Sequence, residues 1–99
     1  MVNLTIMRYY KIEWIHKNNE EYPYLYILEV NTLGEEIKKM EFYTDGRINY
    51  ATENIENGTF LSPIKFNDIE DYNNSDDNEI LKGIEMSKDM FYEIWDKNI

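Results

Sequence analysis

The sequence predicts an α+β fold, an antiparallel β-meander of four to five strands with a C-terminal α-helix packed on one face. Three observations predict it. Tyrosine-rich stretches in the first half alternate apolar and polar side chains, as half-buried strands do. Asp45-Gly46 stands between two of these stretches, where a hairpin needs a tight turn. Near the C-terminus Met90, Phe91, Ile94 and Trp95 recur at the spacing of one helical face.

The first strand is expected over about Ile6 to His16, with Tyr10, Ile12, Trp14 and His16 on one face and Tyr9, Lys11, Glu13 and Ile15 on the other. Lys17 to Glu21 reads as a polar loop. The second strand, about Tyr22 to Asn31, is largely apolar on both faces, the pattern of a central or covered strand. Asn31-Thr32-Leu33-Gly34 forms a turn, and a third strand runs from about Glu35 to Tyr43. Asp45-Gly46 then closes a hairpin in which both central residues tolerate positive φ, leading into a fourth strand from Arg47 to Thr52.

In the second half, Phe66 to Tyr72 reads as a short helix capped by Asn67, with Phe66, Ile69 and Tyr72 facing inward. Asn73 to Glu79 has no apolar residue and is expected to be a mobile acidic loop. Ile80 to Met86 reads as a fifth strand weakened by Gly83. Ser87 caps a helix over 88–97. With no repeat, linker or composition break, residues 1–99 read as a single α+β domain.

The absence of cysteine removes disulfides, thiolate nucleophiles and cysteine-based zinc sites, and fits a reducing cytosol. No stretch approaches the roughly 20 apolar residues needed to span a bilayer. The N-terminus shows neither a basic leader nor a small-residue cleavage site, so a cytoplasmic protein with no membrane association is expected. The formal charge is -10 and uneven: residues 1–50 carry eight acids and six bases, residues 51–99 twelve acids and four bases. Phosphate repulsion argues against direct nucleic-acid binding. An acidic half can attract a basic protein surface, or can simply keep a small protein soluble.

Catalytic constellations are thin. His16 is the sole histidine, so no imidazole pair can hold a metal. No serine stands in a nucleophile elbow, and four isolated glycines build no phosphate cradle. The acidic run from Asp68 to Glu79 lacks the spacing and glycine of a calcium loop. No catalytic residue, metal or cofactor is expected, and the protein reads as a binder rather than an enzyme.

Two regions are candidate binding positions. Trp14 and His16 share a strand face. Turned outward, they would offer a stacking surface with a hydrogen-bonding tip; turned inward, Trp14 would be core and His16 would finish the sheet edge. The hairpin Glu41 to Arg47 presents Tyr43 and Arg47, and a guanidinium leaving a tight turn can fork onto a carboxylate or phosphate. The Asp45-Gly46 pair serves equally as a plain turn, with Arg47 held by a nearby acid. Tyr26, Lys39 and Tyr50 complete the candidate set.

Glu13-Trp14-Ile15-His16, Tyr26 and Glu29, the run Gly34 to Arg47 with its E-x-x-x-D-G-R ending, Tyr50-Ala51, Pro63, and Ser87 to Trp95 together resemble a small uncharacterised single-domain family of bacteria and phages. The resemblance covers nearly the whole chain, apart from the Asn- and Asp-rich 73–79 insert. It implies an α+β fold and identifies no catalytic residue. It also implies an accessory role in bacterial conflict, such as toxin immunity or phage counter-defence.

Two functions follow as expectations. One is a stoichiometric inhibitor that occludes a basic protein partner, such as a host defence protein, a toxin or a DNA-binding enzyme. The other is a sponge that sequesters a nucleotide-derived signal between protomers of a homo-oligomer. There Trp14, Tyr26, Tyr43 or Tyr50 would stack on a base, and Arg47, Lys39 or Arg8 would meet phosphate.

Overall fold

In the computed structural model, which describes residues 6–17, 21–76 and 79–99, the alternating stretches pair into one antiparallel sheet. Its strands are β1 (Arg8–Ile15), β2 (Leu25–Val30), β3 (Glu36–Phe42), β4 (Ile48–Thr52), β5 (Glu56–Asn57), β6 (Asn74–Ser75) and β7 (Ile80–Met86); α1 (Lys88–Asn98) follows. They lie in the order β5-β4-β3-β2-β1-β7-β6. The α+β architecture is the expected one, with seven strands rather than four or five. The two extra strands, β5 and β6, have two residues each, too few to show a period of two.

Asn74 and Ser75 of β6 pair with Leu81 and Ile80, so the acidic stretch expected as a loop carries sheet pairing. Asp77 and Asn78 of that stretch lie outside the described residues, as do Asn18, Asn19 and Glu20 of the expected polar loop. The fifth expected strand, β7, does not extend the meander. It returns to pair with β1, Tyr9 opposite Met86 and Ile15 opposite Ile80, which makes the first strand central.

Two turns of the meander are built alike. In Asn31–Glu35 the Gly34 amide donates to the Asn31 carbonyl at 3.0 Å, and the Asn31 amide to the Glu35 carbonyl at 3.0 Å. In Tyr43–Arg47 the Gly46 amide donates to Tyr43 at 3.1 Å and the Tyr43 amide to Arg47 at 3.0 Å. Glycine holds the positive φ in each, 81° at Gly34 and 92° at Gly46, and no described non-glycine residue has a positive φ. The hairpin stands where Asp45-Gly46 predicts it. The loop is nevertheless a three-residue turn closed by a left-handed glycine, not the two-residue turn with both central residues at positive φ. The added residue shifts the register by one and fixes the pairs Met40–Tyr50, Glu41–Asn49 and Phe42–Ile48.

One sheet face is covered by α1. Tyr9, Ile27, Met40 and Met86 meet Phe91 and Trp95, which are 0% and 7% exposed. Ser87 caps the helix, its Oγ accepting from the Met90 amide at 3.1 Å. The apolar stripe centres on Phe91 and Trp95, four residues apart, so Met90 lies on its flank and is 54% exposed. Tyr92, on the opposite flank, packs against the core instead of Met90. Its hydroxyl donates to Glu29 Oε2 at 2.8 Å and accepts from Lys38 Nζ at 2.8 Å. The buried Glu29 is thereby satisfied.

The other face is covered by a strap, residues 59–73, with little regular structure. It contains a 3-10 turn, Ile69–Tyr72, capped by Asp68, whose Oδ1 accepts from the Glu70 amide at 3.0 Å. This replaces the helix expected from Phe66 with an Asn67 cap. The inward set Phe66, Ile69 and Tyr72 keeps its spacing of three, which suits a helix of three residues per turn.

Glycines let the strap approach. The Phe66 amide donates to Gly34 O at 2.7 Å, and a Cβ on Gly83 would stand 2.7 Å from Ile69 Cδ1. Asn73 fastens the end of the strap by clasping Gly83: Nδ2 donates to Gly83 O at 2.9 Å, and Oδ1 accepts from Gly83 N at 3.0 Å.

Candidate ligand-binding groove

Strand parity places Tyr10, Ile12 and Trp14 of β1, Tyr26 and Leu28 of β2, and Lys39 of β3 on the strap face, through the pairs Ile12–Tyr26, Tyr10–Leu28 and Leu28–Lys39. The strap covers the Tyr10 end of this face. Phe66 stacks on Tyr10 with centroids 4.3 Å apart, and Tyr72 stacks on Phe66 at 5.3 Å. The strap stops short of Trp14 and leaves a groove of ≈ 310 Å³. Its floor is Ile12, Leu28 and Leu81, its aromatic walls are Trp14, Tyr26 and Tyr72, and its polar side is Glu36, Lys39 and Ser62.

The groove's charges are organised by carboxylates. Glu36 Oε1 accepts from the Ser62 amide at 2.8 Å and lies 3.1 Å from Lys39 Nζ. Lys39 also donates to the Phe60 carbonyl at 3.0 Å. At the far end the Trp14 indole Nε1–H donates to Glu79 Oε2 at 2.9 Å, which orients the ring. Burial pushes the Tyr26 phenol well above its ordinary range, and Glu41 and Tyr43 add to the rise. Burial raises Tyr72 as well, with Glu36 and Asp71 contributing. Both phenols are therefore neutral donors in a field set by carboxylates.

Of the residues nominated from sequence, Trp14, Tyr26 and Lys39 meet in this groove. His16 lies beside it, its ring 4.1 Å from that of Trp14 and its Nε2 donating to the Pro23 carbonyl at 3.0 Å. That bond makes Nε2 the protonated nitrogen in the neutral ring. Tyr43 and Arg47 stand at the hairpin end, the guanidinium 4.3 Å over the Tyr43 ring and Arg47 Nε 3.0 Å from Asp45 Oδ2. Arg47 is thus held by its neighbouring acid. The Asp45 carboxyl lies below its usual range, chiefly because the Arg47 amide donates to it.

Tyr50 does not join them. The one-residue register shift of the hairpin puts it opposite Met40, under Trp95, with ring centroids 6.0 Å apart on the helix face. Glu36, Ser62 and Tyr72 line the groove and Glu79 borders it through Trp14, and the sequence reading nominated none of them. Tyr72 was within reach, through its spacing from Phe66 and Ile69; Ser62 depends on how the strap folds back, Glu79 on the turn before β7, and Glu36 on the register shift between β2 and β3.

A second, larger hollow of ≈ 470 Å³ wraps the end of β1, lined by Lys11, Glu13, Ile15, Leu25 and Thr44 beside Trp14, His16 and Tyr24. It draws on residues of both sheet faces, and its Lys11 and Glu13 pair with each other at 3.5 Å. Among the described residues no group of three or more His, Cys, Asp or Glu side chains is placed to hold a metal ion. No helix among them is long and apolar enough to cross a membrane.

Comparison with curated proteins and with solved structures gives no match. A family model described as "Domain of unknown function (DUF6881)" matches residues 8–99, from the first residue of β1 to the end of the chain, and the protein belongs to that family.

Proposed function

We propose that this domain is a stoichiometric, non-enzymatic binding protein whose strap face takes up a basic protein partner. The observation that carries the reading is an aromatic groove bordered by acids whose lining cation is already committed. Exposed Asp68, Glu70, Asp71 and Asp76 follow the strap and β6 past Tyr72, and Glu79 holds Trp14. Lys39 is tied to Glu36 and to the Phe60 carbonyl.

Aromatic anchors beside a charged rim are the composition of protein interfaces, and the acids would speed encounter with a cationic surface. In bacterial or phage conflict, the setting implied by the sequence resemblance, a toxin or a DNA-binding enzyme would supply such a surface. The nucleotide alternative is disfavoured, because Lys39 and Arg47, two of the three cations nominated for phosphate, are each held by a carboxylate, and Arg8, the third, is not among the residues that line the groove.

Binding of an alternating Arg-Gly decapeptide tests this, alongside a Glu-Gly decapeptide, ATP, NAD and a cyclic dinucleotide. The Arg-Gly peptide is expected to raise the Tm progressively with the logarithm of its concentration above the Kd, less so as salt is added, while the other four leave it unchanged. The double variant Glu70→Gln/Asp71→Asn should weaken binding more than Glu53→Gln/Glu56→Gln, which removes equal charge around β5 at the far sheet edge. Equal weakening by both pairs, or a Tm rise with a nucleotide alone, would overturn the proposal.

A further inference from the structure

We infer that the groove is a receptor for one arginine side chain of that partner. The inference rests on the basic-partner reading and adds what the groove selects. Its volume, ≈ 310 Å³, stands at the bottom of the roughly 300–1,000 Å³ range of small-molecule pockets. It suits a single long side chain better than a dinucleotide. The floor of Ile12, Leu28 and Leu81 matches an aliphatic stem, which such side chains bury while keeping the charged head at a polar rim.

At the head end, Trp14 and Tyr26 line the groove with aromatic rings of the kind that attract a cation. Glu79 uses Oε2 for the Trp14 indole, and Glu36 uses Oε1 for Ser62 and Lys39. Oε1 of Glu79 makes no hydrogen bond with the described residues, which leaves one acceptor at the head for an incoming donor, while Glu36 stands at the opposite end of the groove beside Lys39. Guanidinium is planar, weakly hydrated and forked, so it stacks and donates at once; a lysine ammonium is compact and strongly hydrated. The Lys39 charge does not close the site to a cation, because Glu36 balances it and Glu79 and Asp71 remain.

The indole N–H of Trp14 is a built-in reporter, since its bond to Glu79 lies at the head of the groove, whereas Trp95 is buried on the opposite face. In 15N-labelled protein titrated with the Arg-Gly decapeptide, the Trp14 indole signal should shift and that of Trp95 should stay. The Lys-Gly counterpart should bind about tenfold more weakly and the citrulline-Gly counterpart should leave the signal in place. Glu79→Gln should weaken Arg-Gly binding by about tenfold as well.

Arg-Gly binding that leaves the Trp14 signal unmoved would overturn the arginine receptor while leaving the basic-partner reading standing. Failure of every basic peptide to bind would overturn both. An equal shift with citrulline or lysine would also refute arginine selection. These peptide comparisons use the unaltered protein, so they decide the matter even if Glu79→Gln disturbs the fold.

Discussion

The two faces of the sheet are covered by different means, and each has its own tryptophan. On the helix face, α1 lays a periodic apolar stripe on Tyr9, Ile27 and Met40, and Trp95 closes the layer. On the strap face, cover comes from a backbone hydrogen bond at Gly34, from the Asn73 side chain bonded to Gly83 and from the Tyr10–Phe66–Tyr72 stack, and Trp14 is left beside a groove. A helix buries a continuous stripe because every fourth residue returns to the same side. An irregular strap buries only where it is pinned. On the proposed reading, stability rests mainly on one face and recognition on the other.

The largest break in this contrast should come from Trp95→Ala, which empties a site 7% exposed and is expected to cost about 3–5 kcal/mol in urea denaturation. Gly83→Ala comes next. Its new Cβ would press on Ile69 Cδ1 at 2.7 Å and on Tyr72 Cβ at 3.1 Å, a small-to-large clash worth about 1–3 kcal/mol. Because Tyr72 walls the groove, the same substitution should weaken Arg-Gly peptide binding, which Trp95 variants that remain folded should retain. Met90→Ala is the smallest: an exposed helix position should change stability by no more than about 0.5 kcal/mol, and a larger loss would move the apolar stripe off Phe91 and Trp95.

The sequence exposes the helix face better than the strap face, for physical reasons. Strands β1 to β4 and β7 are legible because each runs five to eight residues, long enough to show alternation or, in β2, a continuous apolar run, and the i, i+4 pair Phe91 and Trp95 marks α1. Strands of two residues carry no period, so β5 and β6 are silent. Asp45-Gly46 announces a hairpin but not its loop length, and one residue of loop decides which face every later side chain occupies. That single residue sends Tyr50 under Trp95 rather than beside Tyr26.

The groove was half visible. Trp14, Tyr26 and Lys39 lie on strands whose parity can be counted. Ser62 and Glu79 reach it through the strap and the β6–β7 turn, whose contacts are long-range and leave no local pattern, and Glu36 is brought to this face of β3 by a register shift that sets it opposite Val30. The two readings offered for Arg47, an anion fork or a partner of its own turn acid, divide in favour of the second, because Asp45 Oδ2 lies 3.0 Å away.

The division of labour between the faces is tested most directly by Trp14→Ala, measured in parallel for urea stability and for Arg-Gly decapeptide affinity. Removing a partly buried ring should cost at most about 1–2 kcal/mol and leave a cooperative fold, while peptide binding is lost. A variant that loses as much stability as Trp95→Ala, yet whose folded molecules bind the peptide unchanged, would contradict the account.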